Sequence, residues 1–174
     1  MIRKKKNPNK VSGGAKAKHI GKLFEGIVLA ACYSNRIVPI QIPTGCKFVR
    51  GYGGMRAIPQ KSDFDFIIVK NKSAAFIDAK TTNDTTFTYS EITPHQVHKL
   101  AAIEKQGFNA GYLVWFRKVD NRIVFFTASK LLALKKGESL KVDDGYDLGT
   151  DLTKKLPDLL GAIDAEKRPD ASRL

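Results

Sequence analysis

The first 22 residues hold no acid. Arg3, Lys4, Lys5, Lys6, Lys10, Lys16, Lys18 and Lys22 stand there without a single carboxylate, and they account for eight of the chain's thirteen net positive charges. Apolar residues are also scarce in this stretch, and Gly13-Gly14 interrupts it, so residues 1–18 are expected to form a flexible basic arm. Like charge clustered this densely suits a tail that grips phosphates; a merely soluble end is the plain alternative. Cysteine is nearly missing. Cys32 and Cys46 are the two present, too few for a disulfide framework or for a zinc site of four close ligands, and a reducing, cytoplasmic compartment follows most simply. His95 and His98 are three apart but have no further ligand near them, which argues against zinc there too. No apolar run approaches the length of a membrane span, no signal-peptide core follows the basic start, and internal repeats are absent.

What remains is a globular composition. Of the 174 residues 43% are apolar and 27% charged, enough for one domain with one sizeable core. The net charge of +13 and a pI near 9.8 mark a surface that attracts polyanions, nucleic acid being the commonest.

The chemistry is concentrated between Ser62 and Thr82. Phe64–Val69 and Ala74–Ala79 are short apolar, β-rich runs, and Lys70-Asn71-Lys72-Ser73 between them is a polar turn, so the stretch predicts a hairpin. Side chains alternate along a strand, which puts Asp63 and Asp65 on one face of the first and Asp78 and Lys80 on one face of the second. Acids within apolar strands are costly unless their desolvation is compensated, and a hard divalent cation held by oxygen ligands is the usual compensation. Such carboxylates would hold Mg²⁺ or Mn²⁺ for phosphoryl chemistry, with Lys80 acting on the attacking water or on the charge of the transition state. The plain alternative is a surface hairpin with a weak Asp78–Lys80 ion pair. Parity alone leaves Asp63 and Asp65 equivalent.

Around the hairpin, Ile20, Leu23, Phe24, Ile27, Val28 and Ala31 follow the spacing of an amphipathic helix. Glu25 borders its stripe, either as a solvated flank or leaning toward a neighbouring sheet. A short strand at Arg36–Val38 meets Pro39, which suits a sheet edge or an early stop. Residues 43–61 form a glycine-rich excursion in which Lys47, Arg50, Arg56 and Lys61 alternate with Phe48, Tyr52 and Met55. That interleaving suits backbone contact and base stacking, and equally an ordinary irregular loop. Thr93-Pro94-His95-Gln96 opens a second helix, with Gln96 at the capping-box position and Gly107 at its end. Ala110–Phe116 and Ile123–Thr127 are further strands joined at Asp120-Asn121, and Ser129–Leu134 is a short closing helix. Residues 136–174 are expected to be a tail of unknown role, with a weak amphipathic piece at 152–163. The order of elements predicts an α/β domain over 19–135, a central mixed β-sheet flanked by helices.

Taken together, Asp65 and Asp78-Ala79-Lys80 resemble the PD-(D/E)XK nuclease superfamily, with its restriction-endonuclease-like core. Within it the chain is most similar to RecU-type Holliday junction resolvases. Gly21-Lys22-Leu23-Phe24-Glu25 resembles their first-helix motif, the Asp65-to-Asp78 spacing matches, His95-Gln96 resembles their His-Gln, and Thr127-Ala128-Ser129-Lys130-Leu131-Leu132 their closing segment. The resemblance implies a cutting site of Glu25, Asp65, Asp78 and Lys80 with Gln96 beside it, favours Asp65 over Asp63 as metal ligand, and implies Mg²⁺ or Mn²⁺ as cofactor. It further implies a homodimer, not attached to a membrane, that binds and nicks four-way DNA junctions in the cytoplasm of a bacterial or phage-infected cell, at the nucleoid. Two departures stand out: Asp78 replaces the usual Glu, and the 43–61 excursion is shorter than the family's junction-entering stalk. The alternatives are another nuclease of the superfamily, of restriction or replication-repair type, and a non-catalytic DNA-binding protein of the same fold.

Overall fold

The computed structural model describes residues 13–43, 45–51, 54–59 and 62–161. Helix α1 (Gly13–Ser34) leads into β1 (Val38–Gln41), the hairpin strands β2 (Cys46–Gly51) and β3 (Gly54–Pro59), then β4 (Phe66–Lys70) and β5 (Ser73–Thr82). A short strand β6 (Phe87–Thr88), helix α2 (Pro94–Glu104), β7 (Asn109–Phe116), β8 (Arg122–Thr127) and α3 (Ala128–Ala133) follow. The chain closes with β9 (Ser139–Leu140), β10 (Tyr146–Gly149), α4 (Leu152–Lys155) and a 3₁₀ segment at Leu156–Leu160.

Six strands make the central sheet, in the order β1-β4-β5-β7-β8-β10. β5 and β7 run parallel, and the other pairs are antiparallel. A parallel pair needs a crossover, which the segment containing α2 supplies. Two tight turns set two of the four antiparallel pairs: Asn71-Lys72 joins β4 to β5 and Asp120-Asn121 joins β7 to β8, all four residues having positive φ. That geometry matches the twist of the flanking strands, and Asn and Asp tolerate it well. Pro39 lies in edge strand β1, opposite Ile68, where its missing N–H costs no internal ladder bond.

Each face of the sheet carries its own core. On one, Phe24, Val28, Ala31 and Cys32 of α1 pack over Phe66, Ile68, Ala75 and Ile77. On the other, Val97, Leu100 and Ala101 of α2 and Leu131 of α3 pack over Ala110, Tyr112, Val114, Val124 and Phe126. The alternation of β5 therefore sends Ala75 and Ile77 to the α1 side and Phe76 to the α2 side.

Three elements differ from the sequence expectation. Helix α1 starts at Gly13 rather than Ile20, because Ala15, Lys16, Ala17 and Lys18 are strong helix formers that outweigh the two glycines. Lys18 is exposed on its first turns, whereas Arg3, Lys4, Lys5, Lys6 and Lys10 lie outside the described residues, as does Lys61. The glycine-rich excursion is a regular two-stranded hairpin, in register from Cys46 opposite Pro59 to Gly51 opposite Gly54. It carries Lys47, Arg50 and Arg56, of which Arg50 is exposed; the side chains of Lys16, Lys47 and Arg56 are outside the described set.

Residues beyond 135, expected to be a tail, are partly core. β10 adds the sixth strand beside β8, fixed by the Arg122–Asp147 ion pair, while within the strand Gly149 N donates to Asp147 Oδ1 at 2.8 Å. Leu148, Leu152, Leu156 and Leu159 complete the α1-side core. An appendage would tolerate truncation of one of them, but Leu156 is fully buried. Leu156→Ala is expected to cost about 2–5 kcal/mol in urea or guanidinium unfolding; a loss within about 0.5 kcal/mol, the usual surface value, would show that this segment lies outside the folding unit.

Candidate active site

The ladder between β4 and β5 ends at the pair Phe66–Ile77, and β5 runs on for five more residues with β7 as its partner. Asp65 stands at that fork. Its backbone N–H still reaches Ile77 O at 3.1 Å, and its own carboxylate takes over the ladder, Oδ2 accepting from Ala79 N at 2.9 Å. The acid is thus pinned against the strand one residue from Asp78. Asp63 lies ahead of β4, exposed, with Lys99 at 3.8 Å; neither acid lies within the strand that parity assumed.

Asp78 shares the α2-facing side of β5 with Lys80 and is wholly inaccessible to solvent. Its Oδ1 accepts from Gln96 Nε2 at 2.7 Å, and its Oδ2 lies 2.5 Å from Lys80 Nζ. That second oxygen has a cation beside it but no hydrogen-bond donor aligned on it. Lys80 Nζ in turn donates to Gln96 Oε1 at 3.1 Å, so the amide of Gln96 gives to the acid and receives from the base. A neutral group with both capacities suits this place; a second charge would be repelled by one partner. In the sequence Gln96 reads as a capping residue, but α2 has no side-chain cap bond at Thr93. Its amide is engaged with β5 instead, with a longer bond to Ser62 O at 3.4 Å.

Burial dominates the electrostatics. Desolvation pushes the Asp78 carboxyl up to about 7, with Asp65 adding to the rise and Lys80 and Gln96 opposing it. Asp65 is raised by burial too, against the Ala79 bond and Lys80. Glu25, half-buried on α1, is raised first by burial and then by Asp65, while Lys22 one turn away lowers it. Glu25 therefore feels the field of Asp65 and is not a fully solvated flank. Among the described residues no three His, Cys, Asp or Glu side chains converge to a ready metal cage; Asp65 and Asp78 form a pair, with Glu25 near. The pair fits a hard cation in its chemistry, offering carboxylate oxygens that raise one another's affinity for a positive charge, one of them buried and faced by the Lys80 ammonium alone.

One neighbour escaped the sequence reading. Tyr112, opposite Asp78 in the β5–β7 register, is fully buried and its ring lies under the Lys80 ammonium, 5.1 Å from Nζ to the centroid. A tyrosine in so apolar a strand is a signal in itself, because a buried hydroxyl must find a partner.

Residues 31–143 match the family model described as Recombination protein U, which spans the β-strands and helix carrying Asp65, Asp78, Lys80 and Gln96. The chain belongs to the RecU family of Holliday junction resolvases. The match starts beyond Glu25, so the RecU likeness of the α1 segment rests on the Gly21–Glu25 motif alone. Among solved structures, Hjc, a Holliday junction resolvase from the archaeal hyperthermophile Archaeoglobus fulgidus, is similar over 76% of this chain and 99% of its own, with a TM-score of 0.50 and 12% identity. That likeness shows a shared fold, a central mixed sheet flanked by helices. No curated protein matches the chain. Among the described residues no helix is long and apolar enough to cross a membrane.

The raised acids make a pH dependence. Between the ordinary carboxylate value and about 7, folded Asp78 holds a proton that the unfolded chain has released, so this group's contribution to stability is full below about pH 4 and falls as pH rises toward 7. Asp65 and Glu25 act in the same direction. In chelator-containing buffer, the slope of unfolding free energy against pH across this window should flatten in Asp78→Asn relative to the parent. Parallel slopes would mean that Asp78 titrates normally.

Proposed function

We propose that this RecU-family protein is a metal-dependent endodeoxyribonuclease that hydrolyses phosphodiester bonds at four-way DNA junctions. The observation that carries the reading is the buried Asp78 carboxylate, bracketed by Asp65, Lys80 and Gln96. A protein that only bound DNA would gain nothing from an ionisable acid placed where burial penalises its charge, and a carboxylate near phosphate is repulsive unless a cation intervenes.

Asp65 and Asp78 would hold the cation, Mg²⁺ or Mn²⁺, and Glu25 would add an outer contact from α1. Such a cation supplies Lewis-acid activation of water and neutralisation of the phosphoryl charge. Lys80, a quarter exposed at its side chain, reaches from the buried acid to the surface, where it orients the attacking water or neutralises the transition state. Gln96 fixes the Asp78 carboxylate on one side and the ammonium on the other. Phosphate gripping falls to the basic residues: Arg3, Lys4, Lys5, Lys6, Lys10, Lys16 and Lys18 of the N-terminal segment, and Lys47, Arg50, Arg56 and Lys61 of the β2–β3 hairpin and its end. Among the described residues there is one such site, and symmetric cutting of two opposed strands needs two related by a two-fold axis, so the working unit is a homodimer.

Labelled four-way junction in Mg²⁺ tests the assignment. Asp78→Asn keeps the side-chain shape and removes the charge that attracts the cation; cutting should fall by more than about a hundredfold, with junction affinity equal or higher. Lys80→Met should lose cutting to a similar degree while keeping metal binding. Cutting by Asp78→Asn at the parental rate would reject the site.

A further inference from the structure

Tyr112 is tied to both halves of the Lys80–Gln96 pair. Its ring lies beneath the Lys80 ammonium, and its hydroxyl meets the backbone of Thr93, accepting from Thr93 N at 3.1 Å and donating to Thr93 O at 3.4 Å. Thr93 is the residue from which α2 starts, and it makes no cap bond of its own with its side chain. Gln96 follows three residues later, in the first turn, and its amide is the link between Asp78 and Lys80.

We propose that Tyr112 is a positioning residue of the cutting site, fixing Lys80 by its ring and the register of α2, hence Gln96, by its hydroxyl. This rests on the reading of Lys80 and Gln96 given above. Packing alone does not account for the residue. The core would be filled as well by phenylalanine, which stands at Phe116 and Phe126 of the same cluster. A hydroxyl at this depth is costly unless bonded, and its bonds go to the two backbone groups of one residue, the one that sets where the α2 axis begins. The first turn of a helix has N–H groups without intrahelical partners and is free to fray. Bonding both backbone groups of Thr93 removes that freedom at the turn that carries Gln96. The ring contributes separately, since an ammonium over an aromatic face is attracted to it when partly desolvated. Lys80 is thus held from below by Tyr112, beside Asp78 and against Gln96, with its remaining exposure directed outward.

Tyr112→Phe separates the two contributions, because it keeps the ring and deletes the hydroxyl. On four-way junction in Mg²⁺, its kcat should fall about three- to tenfold, the worth of one neutral hydrogen bond, with KM changed less than about twofold. Since the hydroxyl acts through Gln96, the same substitution in a Gln96→Ala background should cost less than about twofold. Amide exchange at Thr93 should quicken in Tyr112→Phe while the amides of β7 and β8 keep their protection. Val124→Ala, a truncation of the same core on β8, controls for general loosening and should keep the parental kcat. The proposal is overturned if Tyr112→Phe cuts at the parental rate, if it costs the same factor with and without Gln96, or if Val124→Ala loses as much. Gln96→Ala at the parental rate would overturn it through Gln96 while leaving the carboxylates in place, whereas Lys80→Met at the parental rate would overturn the underlying reading of the site.

Discussion

An ionisable carboxylate with no solvent exposure, Asp78 in the middle of a six-stranded sheet, is the constraint on which this structure turns. Burying a charge costs several kcal/mol unless partners compensate it, and most of the site consists of such partners. Gln96 donates to one oxygen, the Lys80 ammonium sits against the other, and neither fully satisfies the second oxygen. The acid is left with a proton affinity far above that of an ordinary aspartate. A site of this kind is poised for a cation, because a divalent ion supplies more charge than the proton or the lysine that otherwise neutralises it.

The fold distributes the work by face and by strand end. α1 covers one face and brings Glu25 to the rim, while α2 covers the other and brings Gln96 over Asp78. The early end of the β4–β5 ladder leaves the far half of β5 bordered on that side by a side chain instead of a strand, and Asp65 occupies the gap. Starting β4 one residue after Asp65 is what lets this carboxylate reach a backbone N–H and stand next to Asp78. The β5–β7 pair, parallel and central, supplies the rigid floor, and the residues past 135 close the α1-side core with Leu148, Leu152, Leu156 and Leu159.

How much of this the sequence discloses depends on the range of the interaction that decides each feature. The hairpin, its acids and the shared face of Asp78 and Lys80 follow from two-residue alternation, which is local, and the order of elements gives the sheet and helices. Asp63 and Asp65 cannot be separated by alternation, being of one parity; the point where the ladder ends separates them, and that depends on where the chain arriving from β3 joins β4. Gln96 sits in a sound capping-box context, yet its partner is on a strand 18 residues away in sequence, so the local reading names a role that the tertiary contact displaces. β10 is a four-residue strand in polar surroundings with Leu148 as its buried anchor, too short for periodicity to register. The β2–β3 hairpin is masked by its glycines, although six consecutive residue pairs form across it.

The central claim is that Asp65 and Asp78 together hold a divalent cation. The most direct measurement is the melting temperature of chelator-treated protein at pH 8 as Mg²⁺ or Mn²⁺ is titrated in, because a ligand that binds the folded state stabilises it in proportion to the logarithm of its saturation excess. The parent protein and Asp63→Asn should both gain stability with added metal, and Asp65→Asn and Asp78→Asn should gain little or none. Equal stabilisation of Asp78→Asn and the parent would contradict the account.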